Sequence, residues 1–126
     1  MTSYPMQRAL TVVNKDAPYT LVEGDANEVL DLLPDGSVDC VITSPPYWNL
    51  REYSVSSSEN KNAVGLESTF PEYIEKLVAI FARVHRVLRD SGSLWLNLGD
   101  KYHNKRLLGM PWRVAIALQD RGWILR

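Results

Sequence analysis

V-D-C-V-I-T-S-P-P-Y-W, residues 38–48, is the stretch that decides the fold class of this chain. Its first five residues are mostly apolar, without alternation, and predict a buried strand. Two consecutive prolines then remove two backbone N–H donors, hold φ at about −65° and push Ser44 and Pro45 out of the helical region. The chain must therefore leave the sheet as a stiff extended segment, which is either a simple connection or part of a functional site.

Helices and strands are predicted in alternation on both sides of this stretch. Asn27–Leu33 places its apolar residues in a helical pattern, which P-D-G at 34–36 ends. A longer helix follows the polar segment 51–62, which we interpret as a surface loop, with Thr69 as the N-cap and Pro71 and Glu72 in its first turn. Its apolar positions are Tyr73, Ile74, Leu77, Val78, Ile80, Phe81, Val84, Val87 and Leu88.

Turn residues bound the remaining elements. D-S-G at 90–92 is expected to stop the long helix, and Leu94–Leu98 to form a strand that ends in Gly99-Asp100. Pro111 opens a last helix, which R-G at 121–122 ends. Its inward-facing residues are expected to be Val114, Ala115, Ile116 and Leu118. Short strands are predicted at Ala9–Val13, Tyr19–Glu23 and Trp123–Leu125.

Apolar strands without alternation, separated by helices, are typical of a parallel sheet covered on both faces. The predicted class is therefore α/β with a mostly parallel sheet, and ligands are expected at the carboxyl ends of its strands. Three polar features fall on that edge, namely Gly24-Asp25, Ser44–Tyr47 and Asn97–Asp100. Each alone is a common turn or strand exit. Their location on one edge is what indicates a site.

Composition limits the classes of function. The 126 residues allow one domain at most, and 45% hydrophobic with 23% charged residues is typical of a globular protein. A net charge of −1 gives no general attraction to a polyanion, so a nucleic-acid partner must be argued from particular residues. Cys40 is expected to be a small buried core residue. Because no run of about 18 apolar residues or signal-peptide pattern occurs, we expect a cytoplasmic protein without a membrane partner.

T-S-P-P-Y-W following V-D-C-V-I resembles the catalytic motif of DNA amino-methyltransferases, the N4-cytosine and N6-adenine enzymes. Their motif is Ser, Asn or Asp, then Pro-Pro and an aromatic residue. The resemblance continues in V-E-G-D at 22–25, W-N-L-R-E-Y at 48–53, G-L-E at 65–67, F-P-E-Y-I-E at 70–75 and L-W-L-N-L-G-D at 94–100. It covers the chain from about Tyr19 to the end and is similar to the subgroup in which the catalytic motif precedes the cofactor motifs.

The resemblance implies a Rossmann-like fold, S-adenosyl-L-methionine as methyl donor, and a catalytic role for Ser44, Pro45, Pro46 and Tyr47. The lone pair of an exocyclic amine is delocalised into the base, and acceptors that draw its N–H groups out of the ring plane would localise that lone pair. By resemblance, the Ser44 hydroxyl and the Pro45 carbonyl are those acceptors. Tyr47 would stack on the flipped base. No metal is required.

For the cofactor, the resemblance implies that Asp25 accepts from the adenine amine and that Thr43 and Ser44 border the methyl group. Double-stranded DNA is the implied partner. Its expected contacts are Trp48, Arg51, Tyr53, Lys101, Lys105 and Arg106, for which a solvated loop with packed aromatics is the alternative. Asn97, Gly99 and Asp100 either line the base pocket or are a strand exit. His85 is interpreted as a helix-surface or core residue and His103 as a loop residue.

Two features bear on the extent and substrate of the enzyme. The serine of the motif favours cytosine N4, with adenine N6 as the alternative. The glycine-rich motif D-P-F-x-G-x-G of this subgroup is absent, since the chain contains no G-x-G. We therefore interpret residues 1–126 as the N-terminal, catalytic-motif part of a single methyltransferase domain, without its target-recognition region. Its sheet would be incomplete, and its own activity absent or very weak.

That interpretation leaves alternatives open. The missing C-terminal part is an expected partner, and unpaired sheet edges would favour self-association. A non-catalytic half that acts in assembly or DNA binding is a second class of function. Methylation of glutamine side chains or RNA bases is a third, because similar N-P-P-Y loops occur in such enzymes. The continuation W-N-L-R-E-Y at 48–53 favours the DNA group.

Overall fold

A computed structural model of the chain describes residue 19, residues 21–49 and residues 63–126. The predicted strand Ala9–Val13 and the surface loop at 51–62 lie outside these residues. The elements in the described part are α1 (Ala26–Leu32), β1 (Val38–Thr43), α2 (Phe70–Val87), β2 (Leu88–Leu96), β3 (Tyr102–His103), β4 (Arg106–Leu107) and α3 (Met110–Gln119). None of the helices in these ranges is long and apolar enough to cross a membrane.

The strands β1 and β2 form a two-stranded parallel sheet, joined through the crossing helix α2. Their carboxyl ends are in register, with Thr43 opposite Leu96. A parallel pair needs such a crossover, and an apolar strand without alternation is typical of it. The predicted strand at 38–42 and the α/β class are thus confirmed, with a small parallel sheet compatible with the expected fold.

The helix α2 supplies most of the core. Thr69 caps its first turn as predicted: its hydroxyl accepts from the Glu72 amide, and the Glu72 carboxylate accepts from the Thr69 amide. Its buried residues are Tyr73, Leu77, Val78, Phe81, Val84 and Val87. On α3, Val114 and Leu118 face this core, whereas Ile116 is 57% exposed, so its predicted inward position is wrong. Val114 and Leu118 are four residues apart and share the buried face of α3, whereas Ile116, two residues from each, lies on the other side of the helix.

The long helix ends earlier than D-S-G predicts, because Leu88 is already extended and begins β2. Pairing is irregular between Val38 and Cys40, where β2 advances five positions, from Leu88 to Ser93, while β1 advances two. The turn predicted at 90–92 lies in that irregularity. A Cβ on Gly92 would lie 2.9 Å from the Arg89 carbonyl oxygen, which explains the glycine.

The segment K-Y-H-N-K-R at 101–106, for which a solvated loop is the alternative to DNA contact, forms with Leu107 a short antiparallel hairpin of β3 and β4. Asn104 and Lys105 have φ of 50° and 62°, the left-handed pair that a two-residue hairpin turn requires. His103 therefore lies in a strand. His85, exposed on α2, packs edge-on against the Trp123 ring at 4.9 Å between centroids.

Three predictions on apolar segments are wrong. Tyr19 and residues 21–23 are not in a strand, and neither are residues 123–125. A strand needs a hydrogen-bonded neighbour, and the parallel sheet of the described residues contains β1 and β2 alone. Cys40 is exposed rather than buried, because it faces the side of the sheet opposite to α2.

Candidate active site

The loop after β1 starts beside the loop after β2. Thr43 is the last residue of β1, and its carbonyl oxygen accepts from the backbone N–H of Asn97 at 3.0 Å. Asn97 is the first residue after β2. Ser44 and Asn97 therefore leave the same edge of the sheet as neighbours. Two of the three polar features expected at the carboxyl edge are brought together here.

Three side chains, Ser44, Tyr47 and Asn97, form a cluster that we call the polar trio. The Ser44 hydroxyl lies 3.2 Å from the Tyr47 hydroxyl, and the Asn97 amide nitrogen donates to that same oxygen at 3.3 Å. Ser44 and Asn97 are exposed, so the trio is open to solvent. The two motif residues with polar side chains, Ser44 and Tyr47, thus lie on one surface.

Gly99 leaves the space in which the Tyr47 ring lies. A Cβ at position 99 would lie 2.7 Å from Cδ2 and 2.8 Å from Cε2 of Tyr47, closer than carbon atoms can approach. The ring therefore lies directly against the backbone of the β2 exit. The Asn97 side chain thus contacts the Tyr47 hydroxyl, and the Gly99 backbone contacts the Tyr47 ring. Both residues are expected either to line the base pocket or to be a strand exit.

Tyr73 supports the proline segment from the core side. It is 2% exposed, and its hydroxyl donates to the Pro46 carbonyl oxygen at 3.0 Å. Burial, together with the nearby Glu67 carboxylate and Tyr47 phenol, raises the pKa of Tyr73 from 10.0 to about 12. The phenol consequently remains a proton donor through the neutral and mildly alkaline range.

The segment at 63–67 packs beneath the end of the loop at 44–49. Gly65 is buried with φ of 99°, and a Cβ there would lie 3.2 Å from both the Pro46 Cβ and the Tyr47 carbonyl oxygen. The Gly65 carbonyl accepts from the Asn49 amide at 2.7 Å, and the Glu67 carbonyl accepts from the Trp48 indole at 2.9 Å. Only glycine fits this conformation and this close approach.

The carboxylate of Glu67 holds that segment to α2. Its side chain is 4% exposed and lies 3.1 Å from the Lys76 ammonium. The other carboxylate oxygen accepts from the Gly65 amide at 2.9 Å, and Lys76 also donates to the Ala63 carbonyl. A buried charge without such a partner would be costly, so Glu67 and Lys76 function as a pair.

Asp100 has a structural role. Its carboxylate accepts from the amides of Lys101 at 2.8 Å, Met110 at 3.0 Å and Gly109 at 3.1 Å. Gly109, the N-cap of α3, has no side chain to do this, so Asp100 satisfies the first amides of that helix. For Asp100, these contacts favour the strand-exit interpretation.

The other predicted site residues are distributed along the described chain. Asp25 is exposed and caps α1, accepting from the Asn27 amide at 2.8 Å. Trp48 packs edge-on against Phe70, and the Lys101 ammonium lies 5.2 Å from the Trp48 ring. Lys105 and Arg106 are exposed on the hairpin. The structure does not describe Arg51 and Tyr53.

The sequence matches a known family over the elements that build this edge. A family model for DNA methylase, of the N6 and N4 methyltransferases, matches residues 38–126. The chain belongs to this family. The match begins at the first residue of β1 and so includes both strands of the parallel sheet and the segment that carries the polar trio.

Individual relatives are type II methyltransferases. M.XycI of Xanthomonas campestris pv. cyanopsidis is 46% identical over 85% of this chain and 44% of its own length. M.Cfr9I of Citrobacter freundii is 41% identical over the same shares, and M.SmaI of Serratia marcescens is 38% identical over 84% and 44%. The chain thus spans less than half the length of these DNA methylase relatives.

Sequence reasoning missed the residues that support the loop. The helical pattern places Tyr73 only on the apolar face of α2, and Gly65 and Glu67 belong only to a segment of family resemblance. A signal existed in Tyr73, because a tyrosine on a buried helix face needs a partner for its hydroxyl. The partner could not be identified from the sequence, since it is a backbone carbonyl 27 residues away.

Proposed function

We propose that this chain is the N-terminal, catalytic-motif part of a DNA methyltransferase that methylates the exocyclic amine of a flipped base, with cytosine N4 favoured. The observation that carries the proposal is the meeting of three side chains at the carboxyl edge, where the Tyr47 hydroxyl lies 3.2 Å from the Ser44 hydroxyl and 3.3 Å from the Asn97 side-chain nitrogen. An open cluster of small polar groups beside a stiff proline segment is suited to hold a planar amine. Membership of the DNA methylase family supports it.

The proposed chemistry uses acceptors on the loop. The Ser44 hydroxyl and the Pro45 carbonyl accept the two N–H groups of the target amine and thereby direct its lone pair away from the ring. The two prolines keep the carbonyl in one direction at little entropic cost. Tyr47, which lies against Gly99, provides a ring for stacking on the base, worth roughly 1–3 kcal/mol.

S-adenosylmethionine, when bound, supplies an electrophilic methyl group. Asp25 fits the proposed role toward it, because its exposed carboxylate has one oxygen on the Asn27 amide and a second oxygen available to accept from an adenine amine. Thr43 and Ser44 lie at the end of β1, where ligands of open α/β sheets bind. A glycine-rich segment for the methionine moiety is absent from the chain, so the remaining contacts must come from elsewhere.

For the DNA surface, the described residues favour the hairpin. Lys105 and Arg106 are exposed there and are proposed to contact phosphates. Lys101 lies closer to the loop, where it donates to the Asn49 carbonyl at 3.1 Å. The Trp48 indole packs against Phe70, so contact with a DNA base is only its secondary proposed role. Arg51 and Tyr53 remain predicted contacts.

We infer that a C-terminal part completes the domain. Ile42 and Trp95, paired across β1 and β2, expose 81% and 66% of their surface on the face away from α2. A groove of about 310 Å³ between β2 and α3 is lined by residues including Leu96, Leu98 and Ile124. Parallel sheets need cover on both faces, so these surfaces are proposed to receive the remaining half of a Rossmann-like fold. Alone, the chain would have little or no turnover and would self-associate through the open edges.

The test joins this chain to the C-terminal part of the Xanthomonas relative, and we call the product the chimera. Treated DNA is digested and its nucleosides are separated by mass. N4-methylcytosine is the expected product, and N6-methyladenine would mean that the target base is adenine instead. Absence of any methylated base, in a folded chimera that binds DNA, would favour the non-catalytic half instead. Turnover by the 126-residue chain alone would refute its incompleteness.

A further inference from the structure

Tyr73 is a polar residue on an apolar helix face. Its neighbours on the buried side of α2 include Leu77 and Phe81, which are 1% and 2% exposed. Burying a phenol costs free energy unless its hydroxyl is paired, and here the partner is the Pro46 carbonyl at 3.0 Å. The hydroxyl therefore connects the core to the loop at 44–49.

The proline segment has a degree of freedom that its own stiffness does not remove. An extended proline segment has no internal hydrogen bonds, so it can turn as a rigid unit about its long axis. It has about three residues per turn, so successive carbonyls point about 120° apart. With the Pro46 carbonyl held toward α2, the Pro45 carbonyl must point to another side. One hydrogen bond thus sets the rotation of both carbonyls.

Other contacts hold the ends of the segment. Thr43 is bonded through its carbonyl to Asn97, while Asn49 and Trp48 are bonded to the segment that contains Gly65. Within residues 21–49 and 63–126, the Tyr73 hydroxyl is the group that bonds to a proline carbonyl of the loop. These contacts, with the packing of Gly65 against Pro46, limit translation of the segment, and the Tyr73 hydroxyl adds the directional bond to the Pro46 carbonyl.

We propose that Tyr73 is a positioning residue for methyl transfer, whose hydroxyl fixes the rotation of the Pro45-Pro46 segment so that the Pro45 carbonyl and the Ser44 hydroxyl face the target amine. This inference rests on the proposed function for its consequence, though not for the contact itself. The phenol remains protonated up to high pH, so the donor persists wherever the enzyme would work.

The first test uses the 126-residue chain with ¹³C-labelled proline. Tyr73→Phe removes the hydroxyl and keeps the ring, and we expect the Pro46 carbonyl ¹³C resonance to move upfield as its hydrogen bond is lost. Phe81→Leu is the matched control, since it alters packing on the same helix without touching the loop. An unchanged Pro46 resonance in Tyr73→Phe overturns the proposal. Should that variant not fold, 3-fluorotyrosine at position 73 strengthens the donor and is expected to move the resonance downfield.

The second test measures turnover in the chimera. Tyr73→Phe is expected to lower kcat roughly tenfold while the KM values for DNA and S-adenosylmethionine stay within about twofold, because misdirected acceptors impair the reaction more than binding. Equal kcat overturns the positioning role. No methylation by the unsubstituted chimera contradicts the proposed function, whereas the Pro46 resonance still decides the Tyr73 contact.

Discussion

The two faces of the β1–β2 sheet carry similar side chains in opposite environments. Toward α2, Val41 and Leu96 pack against a core whose central residues are nearly inaccessible. On the other face, Ile42 and Trp95 are neighbours across the sheet and mostly exposed. Since alternate residues of one strand are equally apolar, the strands are suited to cover on both faces. The described part of the chain supplies one layer.

The largest expected effect is in the covered face. Leu77→Ala removes a side chain that is 1% exposed and is expected to lower the free energy of unfolding of the chain by about 2–5 kcal/mol. Urea unfolding followed by circular dichroism measures it. A loss below about 1 kcal/mol would mean that this core is loosely packed and that the two faces differ less than their burial indicates.

In the site, Ser44→Ala is expected to lower kcat of the chimera on the order of 100-fold, because one acceptor for the target amine is lost. Unfolding of the chain should change by less than about 0.5 kcal/mol, since Ser44 is exposed. Ser68→Ala, at another exposed serine, is the control for both measurements. Equal relative losses of turnover and stability would reduce the motif to an ordinary loop.

Alkaline pH tests the contact between the core and the loop. Unfolded Tyr73 loses its proton near pH 10, whereas in the folded chain its pKa is about 12. The unfolded state therefore binds fewer protons in this window, and stability present below pH 10 is lost as the pH rises toward 12, by on the order of 2 kcal/mol. Urea titrations at about pH 9 and about pH 11 should show a steeper fall for the unsubstituted chain than for Tyr73→Phe.

Gly99→Ala places a methyl group against the Tyr47 ring and must displace it. Turnover of the chimera is expected to fall roughly tenfold, since the ring proposed to stack on the base is displaced. Gly122→Ala is the complementary control: its φ of 94° makes alanine strained, but its Cβ would meet nothing within 4 Å. A larger loss of turnover in Gly122→Ala would contradict the role assigned to the Tyr47 ring.

The smallest effect is expected on the uncovered face. Ile42→Ser should change the unfolding free energy of the chain alone by less than about 0.5 kcal/mol, because the side chain is 81% exposed. In the chimera, the same substitution should cost clearly more, as the C-terminal part is proposed to bury it. Equal small effects in both proteins would mean that the C-terminal part does not cover this face in the chimera.

The sequence predicted what depends on local patterns. The N-cap at Thr69, the strand at 38–42 and the parallel class follow from capping residues, apolar runs and their order. The predicted burial of Cys40 and the predicted strand at 123–125 are wrong, because burial and strand pairing depend on which neighbouring elements are present. Two of the three polar features predicted for one edge of the sheet contribute the polar trio, whereas the Tyr73 contact and the Gly99 approach depend on tertiary distances that spacing does not encode.

Asp100 links this edge to the rest of the molecule. Its carboxylate satisfies the first amides of α3, while the preceding residue lies against the Tyr47 ring. The start of α3 is therefore held by the residue that follows the glycine in contact with Tyr47. Replacing Asp100 would leave the first amides of α3 without this acceptor, so a shift of the helix would be passed through one peptide unit to the backbone that supports the Tyr47 ring.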